Sequence, residues 1–245
     1  MTDPYDSLPL DDDYQEPNPL DSEPIASLDE EAVIADDSSV YRGGSADPAF
    51  GFLLAIAVSV GLTPILPTHA DMRYTLAWGA LAGVGVLSWL FGNSDRIGQE
   101  HPGDVGWGVG LGGIVSIPFA IFFFTTFGRA AHLIFPDFGY GTALAYLVFI
   151  MPLAETLFFR GLLQKWLDMW FTGLLGGVWS VILFFPVMWG EVLDKPAVAI
   201  FLAIALFIMN LTYSYVRERN GLAAAWICQI VANVILIFAP MIQTG

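Results

Sequence analysis

At 245 residues, 56% hydrophobic and 13% charged, with a mean hydropathy of +0.63, the chain has the composition of a membrane protein rather than a soluble domain. Its net charge of −15 comes from one end: 14 of the 24 acidic residues and one of the nine basic ones, Arg42, fall in positions 1–48, which leaves 10 acidic and 8 basic residues for the remainder. That sign excludes nucleic acid as a partner, and a lone cysteine, Cys228, excludes an intrachain disulfide.

Residues 1–48 are rich in Asp, Glu, Pro and Ser and poor in large apolar side chains. Such a segment cannot bury enough surface to offset its ordering entropy, so an acidic, disordered cytoplasmic tail is expected there. From Ala49 onward the sequence is a series of apolar runs, each near the roughly 20 residues that span a bilayer. Spans are expected at 49–67, 74–92, 105–127, 142–164, 170–189, 197–216 and 221–239. Each must be helical, because lipid offers a strand edge no hydrogen-bond partner. The fold class is therefore all-α, an integral membrane protein of about seven transmembrane helices. With the N-terminus in the cytoplasm, Arg42, Arg96, Arg160, Lys165, Arg217 and Arg219 fall inside, and Arg73, Arg129 and Lys195 fall outside. Six against three favours that orientation.

Several motif matches do not survive their context. The run Gly108-Val109-Gly110-Leu111-Gly112-Gly113 fits a dinucleotide fingerprint but lies in an apolar span and follows no strand, so close helix packing explains it better. Asn210-Leu211-Thr212 fits a glycosylation acceptor yet sits inside a span. His69, His101 and His132 are scattered over three connections and do not suggest a metal site.

The informative residues are polar groups at membrane depth, which are costly and mark function by default. Glu155 and Arg160 lie in the fourth span, Asn210 in the sixth, and Gln229 and Asn233 in the seventh. Gln229 and Asn233 are four apart and share a helix face. Glu155 and Arg160 are five apart, about 140° around an ideal α-helix, and need not pair directly. A structural reading makes Arg160 a span-end anchor and the amides helix–helix glue.

Glu155-Thr156-Leu157-Phe158-Phe159-Arg160-Gly161 resembles the first motif of the CPBP family, the CAAX-protease and bacteriocin-processing intramembrane endopeptidases, in which Glu-Glu-x-x-x-Arg-Gly closes one membrane helix. The family's Phe-x-x-x-His has its counterpart in Phe185-Pro186-Val187-Met188-Trp189, with Trp189 in the histidine place. Its His-x-x-x-Asn has its counterpart in Gln229-Ile230-Val231-Ala232-Asn233, with Gln229 in the histidine place and Asn233 kept. The resemblance covers residues 142–240 and divides the chain into a tail (1–48), N-terminal transmembrane spans (49–141) and a CPBP-like transmembrane core (142–240).

The resemblance implies an intramembrane metallo- or glutamic endopeptidase, in which the first glutamate and a histidine activate water and the other motif residues stabilise the oxyanion. The catalytic positions carried over are Glu155, Arg160, Gln229 and Asn233, with Thr156 and Trp189 as departures. An indole offers a donor alone and cannot take a proton from water. An amide can still donate to an oxyanion. One carboxylate and two amides make a poor transition-metal set, so neither a metal nor another cofactor is expected. The expected function is that of a proteolytically weak or inactive family member, a binding or scaffolding subunit whose polar cluster joins the fourth and seventh helices. Membrane lipid, or a peptide or membrane-protein partner held in the polar cavity, is the expected partner, and a prokaryotic plasma membrane the expected location. A working endopeptidase using Glu155 as base, and a small transporter, are the alternatives.

Overall fold

The computed structural model describes residues 48–66, 68–91 and 102–244. The acidic tail expected over 1–48 falls outside the described residues but for Pro48, as do Arg96 and His101. The described chain is helical, with no strand among the described residues. Seven helices follow one another: α1 (Pro48–Gly61), α2 (Ala70–Phe91), α3 (Pro102–Ile134), α4 (Tyr140–Lys165), α5 (Met169–Asp194), α6 (Pro196–Asn220) and α7 (Leu222–Thr244). They stand where the seven spans were expected. Five of them, α3 to α7, are long and apolar enough to cross a membrane by length and composition, and α1 is a shorter apolar helix. Large apolar side chains such as Phe122, Ile121 and Leu90 lie on the outer surface, as they must where the solvent is lipid.

Small residues let these helices approach closely. A Cβ at Gly108 or Gly112 of α3 would run into the backbone carbonyls of Ala224 and Cys228 on α7, so this glycine face is a packing surface. α5 lies along α6, and α2 along α4.

Four helices depart from regular α geometry, α7 through a wide turn at Val234–Phe238. α3 contains Pro118 and leaves helical geometry at Phe123 (φ −131°, ψ 26°). α4 carries two wide turns, Tyr146–Ile150 and Thr156–Leu162, whose hydrogen bonds run from i to i+5. α5 tightens at Phe185–Met188, around Pro186, before it resumes at Trp189–Asp194.

Candidate functional site

Two of these irregular segments expose backbone carbonyls, because a proline nitrogen has no hydrogen to donate. In α4 the amide of Met151 reaches back to Tyr146, so the next bond in that wide turn would have to come from residue 152, which is Pro152. The orphaned Leu147 carbonyl instead accepts a hydrogen bond from Asn233 Nδ2 at 2.9 Å, which fastens α7 to α4. In α5 the carbonyl of Ile182 loses its i+4 donor to Pro186. The buried guanidinium of Arg73, on α2, takes that place: Nη2 donates to Ile182 O at 3.1 Å and Nη1 to Leu183 O. The same side chain donates from Nε to Ser59 O at 3.0 Å and from Nη2 to Ser59 Oγ at 2.9 Å, so it joins α1, α2 and α5. The sequence places Arg73 in an outside loop, whereas it is fully buried in the bundle. The signal was there in Pro186, whose missing N–H demands a donor from elsewhere.

Glu155 is wholly interior, and both its oxygens are acceptors. Oε1 receives the indole N–H of Trp78 (α2) at 3.0 Å and that of Trp179 (α5) at 3.2 Å. Oε2 receives Gln229 Nε2 (α7) at 2.6 Å, and Gln229 Oε1 in turn accepts from Thr156 Oγ1 at 3.3 Å. One carboxyl group thus holds four helices, through three N–H donors. The sequence reading singles out Gln229 and Thr156 but misses both tryptophans, which composition alone cannot separate from apolar packing.

Arg160 reaches the same interior by a different route. In an ideal α-helix it would stand about 140° from Glu155. The wide turn over Thr156–Leu162 brings the fifth residue back nearly over the first, so Arg160 Nη1 faces Glu155 O at 3.5 Å. No carboxylate lies within ion-pair distance of it: the salt bridges among the described residues are Arg129–Glu191 and Lys195–Glu191. Its strongest partner is Asn210 Oδ1 on α6, at 2.7 Å, and the Tyr213 ring lies 5.2 Å from the guanidinium carbon. Asn210 also donates to Ser180 Oγ at 3.1 Å and to Leu206 O at 3.0 Å. It has room because Gly176 faces it; a Cβ there would come within 2.5 Å of Asn210 Oδ1. Arg160 is therefore an interior group tied to α6, rather than the anchor of a span end.

Trp189 does not join this cluster. It is 58% exposed and starts the outer segment of α5, whereas Met188, one residue earlier, is buried and lines the chamber beside Glu155. The face of α5 that looks into the chamber runs Ser180, Phe184, Met188 at intervals of four, and Phe185 and Trp189 lie off it. The side chain that α5 puts on the chamber wall with Glu155 at position 188 is thus a thioether, with no proton to give and no basic lone pair to receive one.

The chamber itself is about 60 Å³ and mostly apolar, with Met151, Met188, Met209, Leu236, Glu155 and Asn233 on its wall. Among the described residues no three His, Cys, Asp or Glu side chains converge to hold a metal ion. Residues 137–235 match the family model described as type II CAAX prenyl endopeptidase Rce1-like. No curated protein and no solved structure matches the chain.

Proposed function

From the Rce1-like domain of the CPBP family that this multi-pass helical membrane protein carries at residues 137–235, we propose a member that no longer cleaves peptides and serves as a membrane binding or scaffolding subunit. The observation that carries this reading is the state of Glu155. Three N–H donors occupy its oxygens, the resemblance puts Trp189 and Gln229 in the places of the two histidines, and the α5 residue beside Trp189 that shares the chamber wall with Glu155 is Met188. Peptide hydrolysis needs a group that takes a proton from water and another that returns it to the leaving amine. A thioether and an amide do neither near neutral pH. What is left is a cluster that ties α2, α4, α5 and α7 together and walls one end of a small chamber, in a bundle that binds membrane lipid or a membrane-protein partner.

The proposed setting is the plasma membrane of a prokaryote with the N-terminus in the cytoplasm. Because Arg73 and Arg160 are interior, they leave the orientation count, and five cations against two still favour it. One observation favours a second reading: Glu155 itself borders the chamber, so a working endopeptidase with Glu155 as base keeps a place for its water.

Cleavage separates the two. Purified protein in liposomes, offered prenylated and unprenylated peptides, should show no turnover as wild type and gain it in Met188→His/Gln229→His if the cavity is an inherited one. Wild-type turnover that Glu155→Ala abolishes would establish the endopeptidase.

A further inference from the structure

A second cavity, about 160 Å³, adjoins the chamber and shares Ala130, Met188 and Leu202 with it. This vestibule opens at the end of the bundle where Arg129, Glu191 and Lys195 sit, and α3 bends at Phe123 immediately before the stretch that lines it. The two cavities follow one side of α6. From Val198 in the vestibule to Tyr213 in the chamber, the rise of the helix makes the path about 22 Å long. Charge is confined to its mouth. There Lys195 Nζ pairs with Glu191 Oε2 at 3.2 Å, while Arg129 meets Glu191 through Nε at 4.0 Å with a side chain 66% exposed. The terminal Nη groups of Arg129 take no partner among the described residues, so of the residues that line the mouth two cations, Arg129 and Lys195, share one carboxylate.

We infer that vestibule and chamber form one binding site for a single-chain lipid with an anionic head, which deepens the binding reading above and rests on it. The head lies between Arg129 and Lys195, and the hydrocarbon chain passes Met188 toward Glu155. Three features select this occupant. The cations at the mouth complement an anion and repel a cation. The wall beyond Met188 is mostly apolar, and of the polar groups that border it Glu155, Ser180, Asn210 and Asn233 are already hydrogen-bonded within the protein. A peptide there would bury N–H and C=O groups without partners, at a cost of several kcal/mol, whereas a hydrocarbon has none to satisfy. Ala130, Met188 and Leu202 wall both cavities, and the unbranched Met188 side chain is the one whose rotation opens the way to a single hydrocarbon chain.

The test is saturation binding of a radiolabelled medium-chain fatty acid, the size the two cavities hold, to the full-length protein in detergent, with unlabelled fatty acid, fatty alcohol and fatty amine of equal chain length as competitors. The expected result is saturable binding in which the alcohol and amine compete roughly tenfold less well than the acid, and Arg129→Gln/Lys195→Gln weakens binding roughly tenfold. Met188→Trp, which plugs the passage, should abolish binding in protein that still elutes as a single species. Equal competition by alcohol and acid, or binding indifferent to the mouth variant, overturns the proposal. So does undiminished binding to folded Met188→Trp, since the chain would then lie elsewhere. The readout does not depend on cleavage: a protein that cuts peptides yet binds fatty acid as described refutes the proposed loss of proteolysis and leaves this site standing.

Discussion

The two ends of the cavity handle charge in opposite ways. At the inner end, Glu155 and Arg160 are fully buried and each is met by neutral partners: indoles and an amide for the carboxylate, a carboxamide and an aromatic ring for the guanidinium. At the outer end, Arg129, Glu191 and Lys195 are exposed and only loosely paired. Buried ions without hydrogen bonds cost several kcal/mol each, so the inner groups are committed to the fold. Exposed pairs contribute little to stability and remain free to meet a ligand. The difference teaches that a charge buried in this bundle joins helices, even where a motif suggests catalysis, and that the exposed charges at the mouth lie outside every motif.

If that division is right, stability should respond strongly at the buried partners and barely at the mouth. Arg73→Met removes the donors that cover the Ile182 and Leu183 carbonyls, and should cost about 2–5 kcal/mol in reversible unfolding from mixed micelles. Trp179→Phe keeps the ring but deletes one N–H to Glu155, and should cost about 1.5–2.5 kcal/mol in the same assay. Asn233→Leu leaves the Leu147 carbonyl bare next to Pro152, for a loss of about 1–2 kcal/mol. Arg129→Gln/Lys195→Gln should move stability by no more than about 0.5 kcal/mol. A mouth variant as damaging as Arg73→Met would erase the distinction.

Much of the architecture is legible in the sequence because lipid constrains it so tightly. Long apolar runs must be helices, and the glycine spacing from Gly108 to Gly112 marks a face where two helices meet. The first motif is legible too, since a carboxylate and a guanidinium inside an apolar run demand partners. What the sequence hides is local helix geometry. The wide turn that aligns Arg160 with Glu155 has no reliable signature in residue type, and an ideal helix puts them on different faces. Which of two neighbouring phenylalanines, Phe184 or Phe185, faces the chamber is hidden as well. Arg73 reads as a loop cation because its reason for burial, Pro186, lies more than a hundred residues away.

The most direct test of the central claim is the stability of Glu155→Ala beside Glu155→Gln, measured by reversible unfolding in mixed micelles. A carboxylate kept as an acceptor for two indoles and an amide should cost about 3–5 kcal/mol when removed, and about half of that should return with glutamine, whose carbonyl still accepts both indoles. A carboxylate kept for catalysis is typically a burden on the fold, so an alanine variant as stable as wild type, or more so, would contradict the account.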